Sequence, residues 1–303
     1  MITLRNAYYC NLKLLLIFLV ICGHWIEPEI GRDPNLYRLY RLVYMVHMPL
    51  FAFLSGLFAQ KPRRQLRRIF PLYLLCQSVA VVLGGVRWDT PFWHLWYLLS
   101  LSFWLLSVPL LERWKGPMLI LSVAAGCLIG LIPWVGRSWS LSRTIVFFPY
   151  FWLGVMLPTN VPWHRFRGPG LLALCVVLIA DPQLSAVTLY HAAPCDPWLR
   201  LQCYGYALLL GLFLLSWCPR RRFPWTRAGA DTLPAYLLHA PIVAALRPVP
   251  HPVLATAALL YIIHKATQWH SIHGITQKEG DIWPDLKIYT KPRASRSTAS
   301  SCP

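Results

Sequence analysis

The chain has 303 residues, of which 56% are hydrophobic and only 13% are charged, and its mean hydropathy is +0.47. Soluble domains carry roughly a quarter charged residues, so this composition excludes a water-soluble fold. The formal net charge of +18 would suggest nucleic-acid binding in a soluble protein. Here, however, Lys and Arg occupy short loops between apolar runs, which favours a role in membrane topology over a nucleic-acid partner.

Ten apolar segments follow one another along the chain. Their recurrence predicts an all-α fold, a polytopic membrane bundle of about ten transmembrane helices. The segments cover residues 12–30, 42–60, 69–86, 94–111, 117–135, 143–158, 169–190, 201–218, 233–247 and 252–264. The composition then changes, which predicts a membrane domain over residues 1–264 and a polar, basic tail, disordered or atypical, over residues 265–303.

The loops between the segments predict the orientation of the bundle. If alternate connections face the same side, thirteen Lys and Arg lie on one side and eight on the other. The richer side contains Lys61, Arg63, Arg64, Arg67, Arg68, Arg113, Lys115, Arg165, Arg167, Arg220, Arg221, Arg222 and Arg227. Because basic loops are retained in the cytoplasm, we expect the amino end there, in a multi-pass protein of the cell (inner or plasma) membrane.

The first segment contains an ionisable pair, Lys13 and His24. Eleven steps along a helix return to within about 20° of the starting direction, so the two side chains share a face, roughly 16 Å apart. An imidazole inside a membrane helix is a candidate for proton transfer. The alternative, a histidine hydrogen-bonded between helices or lying at the interface beside Trp25, remains open from this segment alone.

The second segment carries a further histidine, His47, followed by Ser55 and Gly56. His47 is either an interfacial residue or a residue that lines a site. We interpret the Ser55-Gly56 pair as a small surface on which another helix packs, because no nucleophile elbow surrounds the serine.

The loop before the third segment contains Arg64 and Arg67, three residues apart. On a helix these guanidinium groups converge on one face, and such a pair suits phosphate. The alternative is ordinary cytoplasmic positive charge that contacts anionic headgroups of the membrane lipids.

Four further stretches complete a series of motifs. They are His47-Met-Pro-Leu-Phe with Ser55-Gly56, His94-Leu-Trp-Tyr-Leu-Leu, Arg143-Thr-Ile-Val-Phe-Phe-Pro-Tyr-Phe-Trp-Leu-Gly154 and Thr232-Leu-Pro-Ala-Tyr-Leu-Leu-His239. Together with the Lys13-to-His24 spacing and the Arg64-x-x-Arg67 pair, they resemble acyltransferase family 3 of membrane O-acyltransferases, especially its sugar O-acetylase-like branch. The resemblance identifies residues 1–264 as an acyltransferase-3-like domain. Cys10 departs from the family, whose members often carry an acidic residue there.

The resemblance implies transfer of an acyl group, typically acetyl, from cytoplasmic acyl-CoA to a hydroxyl of a glycan or related acceptor. It implies that Arg64 and Arg67 hold the CoA phosphates. It implies that His24 is a general base or takes the acyl group transiently, and that Lys13 contacts the donor or stabilises negative charge. Weaker candidates for acceptor binding or support are His47, Arg143 and His239.

Two functions of other classes remain open. A transporter or flippase for a small or lipid-linked substrate would use His24 and Lys13 in a proton relay. A non-catalytic membrane scaffold or sensor is the third possibility. No metal is predicted for any of them, because the nine Cys show no metal-ligand spacing.

Overall fold

The computed structural model describes residues 4–272 except 133, 134, 137, 181–186, 191–195, 248 and 250. Within these residues the fold is all-helical and contains no strand. The helices are α1 Leu4–Ile26, α2 Pro34–Leu57, α3 Pro62–Gly84, α4 Trp96–Leu111, α5 Lys115–Leu128, α6 Leu141–Met156, α7 Arg167–Ala180, α8 Val187–Tyr190, α9 Pro197–Trp217, α10 Leu233–Leu246 and α11 Pro252–Ile272. The predicted tail lies outside the described residues from position 273 onward.

Five helical stretches in the described part of the chain are long and apolar enough to cross a membrane. They are Ala7–Glu29, Pro34–Leu57, Pro62–Gly84, Trp93–Leu131 and Pro197–Trp217. The helical membrane bundle is therefore supported, while the number of ten spans and the cytoplasmic amino end stay predictions. Helices α5, α6, α7 and α10 have only 14 to 16 residues, fewer than the ~20 that a full span needs.

Capping residues explain why two helices begin before the apolar runs do. The side chain of Asp33 accepts a hydrogen bond from the Asn35 amide, and Pro34 follows it at the first helical position. Asp196 and Pro197 repeat this arrangement at the start of α9. An acidic cap satisfies an exposed amide, and proline tolerates this position because its missing N–H has no partner there.

Helices α2 and α6 form the closest packing in the core. A side chain added at Gly56 would meet the backbone carbonyl of Phe151, and one added at Gly154 would meet that of Phe53. The prediction that Gly56 supplies a packing surface is confirmed. The Ser55 hydroxyl has a different contact, lying 2.6 Å from the hydroxyl of Tyr97 on α4.

The amino half of α1 is anchored by the segment that follows α9. Asn11 donates to the carbonyls of Pro219 and Arg221 at 2.9 and 3.0 Å and accepts a hydrogen bond from Thr226 at 2.7 Å. Lys13 is only 4% exposed, and its ammonium donates to the carbonyl of Ala230 at 3.0 Å. These bonds hold the 3₁₀ helix Pro224–Gly229 against α1.

Most of the basic loops meet at this same end of the bundle. Tyr9 of α1 contacts Phe58, at the end of α2, with ring centroids 5.0 Å apart. The Tyr9 hydroxyl also donates to the carbonyl of Thr159, which precedes the loop containing Arg165. The start of α3 and the loops after α6 and α9 therefore lie together, and we refer to this as the basic end.

At the opposite end, Asp89 organises the loop between α3 and α4. Arg87 donates two hydrogen bonds to its carboxylate, and the Trp139 amide donates to its backbone carbonyl. The hydrogen bonds from Arg87 lower the pKa of Asp89, which keeps it ionised.

Candidate functional site

A polar cavity of about 100 Å³ lies at the end of the bundle opposite the basic end. It is lined by Val20, His24, Glu27, Tyr40, Tyr44, His47, Met48, Trp93, His94, Trp96, Arg143, Tyr190 and Tyr236. These residues come from α1, α2, α4, α6, α8 and α10 and from the turns next to them. Residues far apart in the sequence thus line one cavity, whose volume admits only a few small chemical groups.

His24 enters the cavity from the last turn of α1, and its Nδ1 has two partners. The Glu27 carboxylate oxygen Oε2 lies 3.2 Å from Nδ1, and the Tyr44 hydroxyl lies 3.2 Å from the same nitrogen. The Tyr44 hydroxyl also donates to Oε2 of Glu27 at 3.4 Å. A carboxylate can only accept, so this network favours the tautomer with the proton on Nδ1 and leaves the Nε2 lone pair available.

Aromatic rings fix the plane of the His24 imidazole. It stacks on His239 of α10 with centroids 5.3 Å apart and meets the edge of Trp93 at 4.9 Å. The side chain of His24 is 12% exposed, so the ring faces protein neighbours rather than lipid chains. His24 therefore bonds to neighbouring segments and also lines a cavity, while its role in proton transfer stays a prediction.

His239 is fully buried behind His24. Its Nδ1 donates to the carbonyl of Tyr236 at 2.6 Å, and its Nε2 has no hydrogen-bond partner within the described residues. His94 lies beside it, with ring centroids 5.1 Å apart, and the Tyr236 hydroxyl donates to the His94 carbonyl. Three histidines from α1, α10 and the turn before α4 therefore form a contiguous cluster, in which His24 stacks on His239 and His94 meets His239 edge-on.

His47 and Arg143 also line the cavity. Nδ1 of His47 donates to the Val43 carbonyl at 2.7 Å, and its ring stacks on Tyr190 at 6.2 Å. Arg143 donates from Nε to the Tyr190 carbonyl at 3.0 Å and lies over the Trp96 ring. Tyr190 thus connects two residues that the sequence suggested as weaker candidates.

The other predicted site residues lie elsewhere. Lys13 is eleven residues before His24, about 16 Å away along the helix axis, where it bonds Ala230. Arg64 and Arg67 are exposed in the first turns of α3, at the basic end. The structure therefore brings His24, His47, Arg143 and His239 together at one end and separates Lys13, Arg64 and Arg67 from them.

Sequence reasoning missed several residues of this cavity and also Arg247, which contacts His24 but is not among the residues that line the cavity. Glu27 was detectable, because it follows His24 by three positions, the spacing of neighbours on a helix face. Arg247 was not, because the guanidinium that donates to the His24 carbonyl comes from 223 positions further along the chain. Its charge also lies over the Trp93 ring.

A narrow second cavity of about 60 Å³, which we call the slot, lies toward the basic end. Gln65, next to Arg64, lines one part of it, and Tyr97 and Tyr236 line another. Tyr236 also lines the polar cavity around His24, which we call the histidine cavity, so the two spaces share this side chain as part of their walls. The slot follows α4 from Tyr97 to Leu105, about 12 Å of helix axis.

The fold and the cavity define a polytopic helical membrane protein with a polar site buried among its helices. The chain belongs to acyltransferase family 3: the model of the family's acyltransferase domain matches residues 6–263. The sequence resemblance to this family is confirmed, and membership implies an acyltransferase in an integral membrane protein. Comparison with curated proteins and with solved structures found no match.

Across the described ranges, no group of three or more His, Cys, Asp or Glu side chains is placed to hold a metal ion.

Proposed function

We propose that the protein transfers an acyl group, typically acetyl, from cytoplasmic acyl-CoA to a hydroxyl of a glycan or related acceptor. The observation that carries this proposal is His24, whose Nδ1 is held by Glu27 and Tyr44 while the ring lines a cavity. An imidazole fixed in this way presents one nitrogen as a base, the arrangement that activates a hydroxyl for acyl transfer.

In the proposed reaction, Nε2 of His24 removes the proton of the acceptor hydroxyl as its oxygen attacks the thioester carbonyl. The C–S bond breaks, and the departing thiolate recovers the proton from the imidazolium. The products are an acyl ester and CoA. Glu27 stabilises the imidazolium that forms between these two proton transfers, because its carboxylate lies 3.2 Å from Nδ1. Transient acylation of His24 is a variant of the same reaction.

The donor enters from the basic end in this proposal. Arg64 and Arg67 bind the CoA phosphates, because both guanidinium groups are exposed and three residues apart on one helix. The extended pantetheine arm follows the slot toward Tyr236 and the histidine cavity. Since the slot is only about 60 Å³ in volume, the side chains that line it, such as Tyr97 and Tyr236, must rotate for the arm to pass.

The acceptor enters from the other end of the bundle. His47 and Arg143 line the same cavity as His24 and provide polar groups for a hydroxylated substrate. His239 supports His24 from behind through ring stacking. Lys13 contributes through its bond to Ala230, which fixes the amino half of α1 and thereby the position of His24 on the same helix.

The test of the proposed function is transfer from labelled acetyl-CoA by the purified full-length protein, with a panel of soluble sugars as acceptors and with release of the CoA thiol as a second readout. We expect His24→Ala to lower the rate by about 10²–10⁴-fold, the usual contribution of a general base. His251→Ala, at an exposed position outside the cavity, is the matched control and should keep the wild-type rate. Wild-type turnover by His24→Ala would remove the proposed base.

A second pair of variants tests the donor site. Arg64→Gln with Arg67→Gln should raise the KM for acetyl-CoA without changing the KM for the sugar, because only the phosphate contacts are lost. The matched control combines Arg63→Gln with Arg113→Gln, which removes the same charge from exposed positions. An equal rise in the control would make the effect one of overall charge. Proton-coupled uptake of a solute without thiol release would instead favour the transporter.

A further inference from the structure

A groove of about 950 Å³ lies on the outside of the bundle. It runs between α1, the 3₁₀ helix Pro224–Gly229 and α11, and we call it the lateral groove. It shares no lining residue with the histidine cavity or with the slot. Its volume falls within the range of roughly 300–1,000 Å³ that is typical of ligand pockets.

The inner wall of the lateral groove is apolar. Leu14 and Phe18 lie four residues apart, and therefore on one face of α1, and Leu260 of α11 contributes the opposite side. All three side chains are only partly buried, so hydrocarbon surface remains open between the helices. Next to them Tyr261 and Ile262 are 63% and 61% exposed, as expected for a helix that faces lipid.

The rim of the lateral groove is basic. Arg222 precedes the 3₁₀ helix and Arg227 lies within it, on one side of the groove, and Lys265 projects from α11 on the other side, near the ring of Tyr261. No Asp or Glu occurs among the lining residues. Three exposed cations thus lie at the basic end of the lateral groove, and no carboxylate among its lining residues neutralises them.

We propose that the lateral groove binds an anionic glycerophospholipid of the surrounding bilayer. The phosphate headgroup contacts Arg222, Arg227 and Lys265, and the acyl chains lie along Leu14, Phe18 and Leu260. Charge complementarity selects an anionic over a zwitterionic headgroup, because the rim carries only positive charge. The apolar wall selects a molecule with hydrocarbon chains over a free phosphate, since water in that groove would gain few hydrogen bonds.

Lipid binding in the lateral groove is independent of the acyltransferase reaction, although it has a consequence for the helix that carries His24. The groove is built on Thr226, whose hydroxyl bonds Asn11 of α1. A lipid bound there would clamp the 3₁₀ helix against the helix that carries His24. The bound lipid is therefore expected to stabilise the fold as well as to occupy the groove.

The experiment is native mass spectrometry of the full-length protein in detergent, titrated with phosphatidylglycerol or with phosphatidylcholine of the same acyl chains. We expect phosphatidylglycerol to bind at least about 10-fold more tightly, and glycerol phosphate not to compete with it. The triple variant Arg222→Gln, Arg227→Gln, Lys265→Gln should lose this preference. A matched triple variant of Arg63, Arg113 and Arg165 to Gln, at exposed positions outside the groove, should retain it.

The single variant Lys265→Glu provides a second test if the triple variant does not fold. It reverses one exposed charge and should weaken phosphatidylglycerol binding while leaving phosphatidylcholine binding unchanged. Equal affinity of the wild-type protein for the two lipids would overturn the proposal. Displacement of phosphatidylglycerol by acetyl-CoA would also overturn it, because it would assign the groove to nucleotide phosphates.

Discussion

At the scale of single residues, the site depends on how His24 is held. Glu27 and Tyr44 both reach Nδ1, whereas His239 and Trp93 contact the ring plane and edge. Hydrogen bonds to one nitrogen fix the tautomer, and ring contacts fix the direction of the other nitrogen. The reactivity proposed for His24 therefore depends on these four neighbouring side chains together and not on the imidazole alone.

Replacing Glu27 by Gln tests this orientation. The amide keeps the size of the side chain but removes the negative charge beside Nδ1, so the imidazolium is stabilised less during proton transfer. We expect kcat for acyl transfer to fall about 10–100-fold, the range typical of partners that orient a functional group. The KM for acetyl-CoA should stay constant, because Glu27 lies in the histidine cavity and not in the slot.

Glu29→Gln is the control for this change. Glu29 lies two positions away and pairs with the exposed Arg32 at 2.5 Å, outside the cavity. Its variant should behave as wild type in steady-state kinetics. If Glu27→Gln also kept the wild-type kcat, the carboxylate would have no part in the reaction.

Sequence reasoning recovered part of this group. His24, His47, Arg143 and His239 were all proposed as site residues, and all four lie around one cavity or directly behind it. Their roles stay predictions. The contribution of Arg247 depends on a contact with His24, 223 positions earlier in the chain, which no local sequence pattern indicates.

At the scale of elements, apolar runs located the helices but not their ends. The first two segments were predicted over residues 12–30 and 42–60, whereas the helices run over Leu4–Ile26 and Pro34–Leu57. The additional turns contain polar residues such as Asn11, which are buried because they bond to neighbouring segments. A hydropathy pattern places the end of a span at a polar residue, but tertiary hydrogen bonds can keep that residue inside the bundle.

The final helix is also longer than the apolar segment that predicted it. The last apolar segment was predicted over residues 252–264, and α11 continues to Ile272. Lys265 and Gln268 lie on this extension, next to the lateral groove. Polar residues interrupted the apolar run without interrupting the helix.

The packing of α2 on α6 leads to a stability prediction. An alanine methyl group at Gly56 would overlap the Phe151 carbonyl, which belongs to rigid backbone and cannot move without separating the helices. We expect Gly56→Ala to destabilise the protein by about 1–3 kcal/mol, the usual cost of overpacking a core. The measurement is the Tm from the fraction that remains monodisperse after heating in detergent.

Gly205→Ala is the matched control, because it also lies inside a helix but has no atom within 4 Å of the added methyl group. Its Tm should be unchanged or slightly raised, since alanine favours the helix more than glycine does. Equal Tm values for the two variants would mean that the α2–α6 contact is looser than the backbone positions indicate.

At the scale of the whole molecule, two ends with different chemistry are separated by the length of the helices. Arg64, Arg67 and Arg222 lie at the basic end, and His24 and its neighbours lie at the other. Helix α3 alone spans 23 residues, about 35 Å, which exceeds the roughly 30 Å hydrocarbon core of a bilayer. A donor bound at the basic end and an acceptor bound at the histidine end would thus approach from opposite sides of the membrane.

The predicted orientation can be tested at the two ends of α3. Arg63 lies in its first turn at the basic end, and Trp88 lies in the loop beyond its last residue and is 51% exposed. In intact cells, a membrane-impermeant maleimide should label Trp88→Cys, whereas Arg63→Cys should react only after permeabilisation. The wild-type protein, which contains nine native cysteines, gives the background. The reverse pattern would put the amino end outside the cell, and Arg64 and Arg67 would then lie on the side without cytoplasmic acyl-CoA.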